Sequence, residues 1–118
     1  MLTGEMRVYI AVGVTDMRKA IDGLSIMVSE QLELDPLSGH LFAFSNRSRS
    51  MVKVLYWDRN GFCLWQKRLE RDRFRWPESR QAVLAVDRRE LSWLLDGLDL
   101  RQQHAHGIVE YKHFFKGK

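Results

Sequence analysis

The chain has only one cysteine and no long apolar run, and each shortage excludes a class of protein. Cys63 is the only cysteine among 118 residues, so an intramolecular disulfide cannot form and a disulfide-stapled secreted domain is excluded. No stretch approaches the roughly 20 apolar residues of a membrane span, and residues 1–13 lack the pattern of a secretory signal. We therefore expect a cytoplasmic protein with no membrane partner.

What the chain does contain is the composition of an ordinary folded protein with one strongly basic region. Hydrophobic residues make up 45% of the sequence and charged residues 29%, which predicts a single folded domain over residues 1–118. Residues 46–80 hold ten Lys/Arg against four Asp/Glu, a net charge of +6, whereas the rest of the chain has a net charge of −2. The excess of positive charge is local, and it favours an anionic partner at that place.

Two helices are predicted from apolar periodicity and capping residues. Thr15 or Asp16 offers an N-cap to a long amphipathic helix that runs from Met17 to just before residues 35–36, Asp-Pro. Asp87 and Glu90 form a capping-box pattern ahead of a short second helix that ends near residue 97. A short β-prone run at residues 7–12 precedes the first helix.

Three further β-prone runs lie at residues 41–45, 51–57 and 62–69. The pair Asn60-Gly61 between the last two predicts a β-hairpin with a type I′ turn. The predicted fold class is α+β: an N-terminal strand and the long helix packed on a three-stranded antiparallel meander, with the second helix and an apolar tail at residues 108–115. One sheet face would pack on the long helix, and the face that carries Lys53 and Trp57 would meet a partner.

The basic region suggests a nucleic-acid surface, because cations neutralise phosphates and exposed rings stack on bases. In an extended chain the odd-numbered cations after residue 66 would point the same way, spaced by about 6.6 Å, close to the interval between phosphates on a strand. The alternative is a solvated edge whose charges prevent sheet association, with Glu70 and Asp72 pairing to arginines. The candidate phosphate contacts are Arg47, Arg49, Lys53, Lys67, Arg68, Arg71, Arg73 and Arg75.

Most of the aromatic residues in this region are expected in the core, because each ring buries a large apolar area. Trp57 and Trp65 are the candidates for base stacking, since their odd numbers match those of Lys53 and Lys67 and would place all four on the outer face.

No catalytic or cofactor-binding motif is present in the sequence. A zinc site built from the histidines and Cys63 lacks the spacing of known zinc motifs, and the aspartates read as caps, helix faces and turns rather than a two-metal cluster. The glycines form no phosphate-binding loop, and Cys63 lies in the middle of a strand. We therefore expect no enzyme activity, metal or cofactor. The residues weighed were His104, His106 and His113 for zinc, and Asp16, Asp22, Asp35, Asp58 and Asp72 for a nuclease.

Several blocks of this sequence, in order and at the right spacing, resemble a known family. These are residues 15–24 (TDMRKAIDGL), 35–44 (DPLSGHLFAF), 54–65 (VLYWDRNGFCLW), 67–70 (KRLE) and 74–77 (FRWP). They resemble the TnpB accessory protein of the insertion-sequence sixty-six family, which is unrelated to the RNA-guided nucleases also called TnpB. The resemblance covers about residues 7–98 and leaves residues 99–118 as a tail.

The resemblance implies a small bacterial transposition helper, encoded beside a separate transposase that carries the catalytic residues. No chemistry and no catalytic residues are transferred by it. We expect a noncatalytic protein that binds DNA without sequence preference, bridges the transposase to DNA, or does both. The alternative is a protein-interaction module that docks on the transposase through its helix stripe or tail and does not touch DNA.

Overall fold

The described residues form one five-stranded mixed sheet with two helices packed against it. The computed structural model describes residues 6–98 and Leu100. In chain order the elements are β1 (Val8–Val14), α1 (Ile21–Glu30), β2 (Leu41–Ser45), β3 (Met51–Asp58), β4 (Gly61–Arg68), β5 (Val83–Val86) and α2 (Arg88–Leu95). The strands lie in the order β4-β3-β2-β1-β5, with β1 parallel to β2 and every other neighbouring pair antiparallel.

The α+β class is confirmed, but the predicted three-stranded sheet is only part of the observed one. Strands β2, β3 and β4 pair antiparallel as expected, and β1 and β5 extend this group on the β2 side. The strand β5 was not predicted from the sequence. It pairs with β1 rather than with its neighbour in sequence, so β1 lies inside the sheet.

Helices and loops cover both faces of the sheet. On the first, here called the α1 face, Phe42, Phe44 and Leu55 pack against Leu24 and Val28 of α1. On the second, the α2 face, strand residues pack against α2 and against the chain between β4 and β5. Its buried members include Val8, Ile10, Ala43, Val52, Val54, Phe74, Trp76, Leu91 and Leu94. Coverage of both faces explains why β2 is apolar at successive positions instead of alternating.

The predicted start of the first helix was wrong. The helix is shorter than expected and begins at Ile21, with Ala20 as an N-cap that makes no side-chain bond. Asp16 is engaged elsewhere, because its carboxylate accepts bonds from the guanidinium and from the backbone N–H of Arg18. These bonds lower the pKa of Asp16 to about 2. Residues 15–20 therefore form a turn that precedes the helix.

The second helix confirms the capping box predicted for it. The Asp87 carboxylate accepts from the Glu90 backbone N–H at 2.7 Å, and the Glu90 side chain accepts from the Asp87 N–H at 2.9 Å. At the other end, Gly97 has φ 88°, its N–H donates to Leu94 O, and Leu98 N–H donates to Trp93 O. These are the two bonds of a Schellman motif, which fixes the direction of the chain as it leaves α2.

The β3–β4 hairpin is present, but its turn is shifted by one residue from the prediction. Asp58 pairs with Gly61, so the two loop residues are Arg59 and Asn60. Of the two, only Arg59 has a positive φ, at 60°. A residue with a side chain loses about 1–2 kcal/mol in this left-handed region.

Substituting Arg59 with glycine is expected to stabilise the protein by about 0.5–1 kcal/mol, because relief of the left-handed strain exceeds the extra freedom of glycine in the unfolded chain. The change would be measured as a rise in the urea midpoint with an unchanged m value. Asn60→Gly is the matched control in the same loop, and it should not stabilise. A gain for Asn60→Gly and none for Arg59→Gly would contradict the assignment of the strain.

Within the described part of the chain, no helix has the length and apolar character needed to cross a membrane. The predicted apolar tail at residues 108–115 lies outside the described residues.

Candidate nucleic-acid interface

The strongest concentration of exposed charge lies on the chain between β4 and β5, residues 69–82, here called the exit segment. It must pass from one edge of the sheet to the other, because β4 and β5 are the two edge strands. Three backbone bonds hold it: Leu69 N–H to Ser50 O at 2.8 Å, Phe74 N–H to Arg49 O at 2.7 Å, and Val12 N–H to Ala82 O at 2.9 Å. These bonds attach the exit segment to the β2–β3 loop and to β1, near its start, middle and end.

Buried aromatic residues alternate with exposed cations in the middle of the exit segment. Phe74 and Trp76 are buried in the core of the α2 face, and the Trp76 Nε1–H donates to Ala11 O at 2.9 Å. Arg73 and Arg75, between and beside them, are exposed, as is Arg71. Among the described residues, these three guanidinium groups have no hydrogen-bond or ion-pair partner. Anchoring by the rings thus presents free cations to solvent.

Two of these arginines line a groove between the exit segment and the end of α2, here called the α2 groove. Its volume is about 540 Å³. Lys67, Arg73 and Arg75 supply positive charge, Asp72 and Asp96 supply carboxylates, and Leu69, Leu95 and Gly97 complete the lining. The Lys67 Nζ donates to Leu95 O at 2.9 Å, which places a cation at the negative end of the α2 dipole.

The structure removes Lys53 from the predicted phosphate contacts. Lys53 is only 7% exposed, and its Nζ donates to Met17 O at 2.8 Å and to Lys19 O at 2.9 Å. Its side chain lies on the α1 face, which the helix covers, so the expectation that this face is a partner surface was wrong. Lys53 instead holds the turn that leads into α1.

Arg49 is also used inside the protein rather than presented to a partner. Its guanidinium donates to Val12 O at 3.2 Å and lies 5.9 Å from the Trp76 ring centroid. Burial lowers the pKa of this guanidinium, which is a sign that it has lost part of its water shell. Arg49 has φ 59° and joins the β2–β3 loop to the end of β1 and to the exit segment.

Two further predicted cations, Arg47 and Arg68, are both exposed but differ in whether they form an ion pair. Arg47 is exposed on the β2–β3 loop. Arg68 is exposed and forms an ion pair with Glu70 at 3.1 Å. The alternative interpretation, a solvated edge, expected Glu70 to pair with an arginine in this way. Arg68 pairs across the sheet with Met51, and its neighbour Lys67 points to the other face. Of the predicted row of odd-numbered cations, Lys67, Arg73 and Arg75 line the groove and Arg71 does not.

A protein-family comparison matches residues 6–105 to the family described as IS66 Orf2 like protein. The chain belongs to this family. The match covers the whole described part of the chain, and it gives the protein an accessory role associated with transposition of an insertion sequence.

Two relatives from Sinorhizobium fredii (strain NBRC 101917 / NGR234) are similar to this IS66 Orf2-like protein. Uncharacterized protein y4hO is 47% identical over 96 residues, which cover 81% of this chain and 84% of the relative. Uncharacterized protein y4jC is 32% identical over 94 residues, which cover 80% of each. No solved structure matches the chain.

In this IS66 Orf2-like protein the two candidate stacking residues lie on opposite faces of the sheet. Trp57 pairs with Phe62, and their rings meet edge to face with centroids 5.1 Å apart on the α1 face. Trp65 pairs with Val54 on the α2 face and is 42% exposed. The prediction that Trp57 and Trp65 share a face was wrong, because an odd residue of β3 pairs with an even residue of β4. Trp65 is the one that shares a face with Lys67.

The described residues of this IS66 Orf2-like protein contain no cluster of three or more His, Cys, Asp or Glu side chains that could hold a metal ion. His104, His106 and His113 lie outside the described residues. Sequence reasoning missed Asp96 and the rest of the α2 wall of the groove. No local signal could have found them, because α2 reaches the exit segment only through tertiary packing.

Proposed function

We propose that this protein is a noncatalytic accessory protein of transposition that binds DNA through the cations of the exit segment. The observation that supports this most is that Arg71, Arg73 and Arg75, on a segment fixed by buried aromatic residues, have no guanidinium partner among the residues that the structure describes. A segment whose backbone is already held loses little backbone freedom on binding, and phosphate contacts supply most of the affinity in sequence-independent binding. Arg47 and Arg68 add charge nearby.

Changing Arg71, Arg73 and Arg75 together to alanine is expected to weaken DNA binding and to flatten its salt dependence. Each lost phosphate contact removes about 0.7 to 0.9 from the slope of log K against log salt, so three lost contacts remove roughly 2 to 3. Fluorescence anisotropy over a sodium chloride series would measure this, with a fragment of the insertion-sequence end that has a duplex part and a single-stranded overhang.

The chain offers a matched control for this loss of three charges. Arg7, Arg59 and Arg88 are exposed and lie at the opposite end of the sheet, where β1 begins, β3 meets β4 and β5 ends. Their triple alanine variant has the same net charge as the first variant, and it should keep the wild-type slope. Equal slopes for all three proteins, or equal losses for both variants, would contradict a local DNA site.

The second candidate function is docking on the transposase without contact to DNA. The stripe of α1 cannot serve, because Leu24 and Val28 are buried against the sheet. The exposed apolar residues Val14, Ile26 and Leu37, however, are 47%, 54% and 53% exposed and could contact a protein. A pull-down with the transposase after nuclease treatment separates the two functions, because a complex that survives while naked DNA is not bound favours docking.

A further inference from the structure

We propose that the α2 groove binds single-stranded DNA, with phosphates at its cations, base amino groups at its carboxylates and one base stacked on Trp65. This inference rests on the proposed function, because it names the form of DNA that the same segment would hold. It adds a wall from α2 and a stacking residue on β4 to the cations of the exit segment.

The chemistry of the groove is mixed, and a duplex backbone does not match it. Lys67, Arg73 and Arg75 can meet phosphates, but Asp72 and Asp96 lie in the same lining and would repel them. Neither carboxylate forms an ion pair with a groove cation within the part of the chain that the structure describes. Both remain available as acceptors for exocyclic amino groups of bases, the contact that Asp makes to the cytosine N4 amine.

A base can stack on a protein side chain only if it has left the base stack of the duplex, although its exocyclic amino group is open to acceptors in either form. In a duplex the Watson–Crick edges are occupied and the base faces are stacked on one another, whereas an unpaired base exposes both its edge and its faces. The volume of the groove, about 540 Å³, falls in the range of sites that enclose a small ligand rather than a helix. The groove therefore fits a short piece of one strand.

Trp65 supplies the flat surface that such a strand would use. It is the most exposed of the described tryptophans; Trp76 and Trp93 are buried, and Trp57 packs on Phe62. Trp65 and Lys67 are alternate residues of β4, so they share the α2 face about 6.7 Å apart along the strand. A base on the Trp65 ring would place its neighbouring phosphate within reach of the groove cations.

The experiment compares three oligonucleotides of about ten nucleotides on the full chain: a single strand of mixed sequence, the same sequence as a blunt duplex, and an abasic single strand with an intact backbone. We expect the single strand to bind at least about tenfold more tightly than the other two, since only its bases are free to stack on Trp65. Binding of the single strand should quench tryptophan fluorescence, and Trp65→Phe should remove that quenching.

Variants of Trp65 and Asp96 distinguish a site that stacks and contacts bases from a surface that binds DNA by charge alone. Trp65→Ala should lower the affinity for the single strand by about tenfold without changing that for the abasic strand, while Trp65→Phe keeps most of the affinity because it keeps a ring. Trp57→Phe is the control and should leave the affinity and the quenching unchanged. Asp96→Asn should alter the preference among homopolymeric strands, because the amide adds a donor where the carboxylate only accepts.

The outcomes for the two proposals are distinct. Equal binding of single strand, duplex and abasic strand, with no effect of Trp65→Ala, would overturn the single-strand site and leave DNA binding by the exit segment intact. Failure of all three oligonucleotides, and of the fragment of the insertion-sequence end, to bind would overturn both. Circular dichroism of each variant shows whether a loss of binding reflects a loss of fold.

Discussion

Replacing Trp76 with alanine should lower the free energy of unfolding by about 3–5 kcal/mol, the range for loss of a large buried aromatic side chain. Trp76 lies in the core of the α2 face, and its Nε1–H bond to Ala11 O ties the exit segment to β1. The variant loses the packing, leaves the Ala11 carbonyl without its donor, and removes the ring beside the Arg49 guanidinium. Because Arg75 is its neighbour, DNA binding should weaken as well.

Urea unfolding followed by circular dichroism would measure this change. Trp76→Phe is the informative second variant, because it keeps one packed ring while it removes the indole donor and part of the ring volume, at a cost of about 1–3 kcal/mol. Trp65→Ala is the control for removal of an indole, and it should cost much less, since that side chain is 42% exposed. A loss below about 1 kcal/mol for Trp76→Ala would mean that the exit segment is not anchored at this residue.

Lys53→Glu should be the most damaging single charge change in the described part of the chain, with a loss of about 4 kcal/mol or more. A carboxylate at this position would face the carbonyl oxygens of Met17 and Lys19, two acceptors, in a site that is 7% exposed to solvent. The protein would have to bury an unpaired charge or release the turn before α1.

Lys53→Met is the matched variant, because it keeps the volume and removes the charge. It leaves two carbonyl groups without a donor, but it also removes the penalty for a buried cation, so its loss should be clearly smaller than that of Lys53→Glu. Both are measured by thermal and urea unfolding. Wild-type stability for Lys53→Glu together with weakened DNA binding would restore the sequence-based assignment of Lys53 to the phosphate-facing surface.

The face to which each residue of the hairpin belongs could have been predicted from the sequence with one further step. A two-residue hairpin loop makes odd residues of one strand pair with even residues of the other, so matching odd numbers across the turn place side chains on opposite faces. Applied to Trp57 and Trp65, this rule separates them as the structure does. The turn residues indicated the hairpin but placed its two loop residues one position too late in the chain. The pairing register of the two strands could therefore not be read from them.

Other parts of the fold carry no local signal. The four residues of β5 are too few to show a period, and their partner β1 lies far away in the sequence. Asp16 has the chemistry of an N-cap, but the nearby Arg18 captures its carboxylate. A lysine within a strand is usually exposed, and the burial of Lys53 depends on carbonyl groups that only the folded turn brings together.

For the candidate site, the alternation of arginines with Phe74 and Trp76 was visible in the sequence and corresponds to exposed and buried positions. The sequence could not indicate what lies opposite these arginines. The groove exists because the Schellman motif at Gly97 and the bond from Lys67 to Leu95 O fix the end of α2 beside the exit segment. The Schellman motif is local to the chain and its glycine is visible in the sequence, but the bond from Lys67 to Leu95 O depends on tertiary structure.

The pairing of β1 with β5 also bears on how the protein is made. Val8 pairs with Val86, so the register of the N-terminal strand joins residues at nearly opposite ends of the described chain. Contacts this distant in sequence raise the contact order and slow folding. During synthesis β1 therefore keeps an open, apolar edge until β5 has left the ribosome, and a nascent chain in that interval is the species most exposed to aggregation and to chaperones.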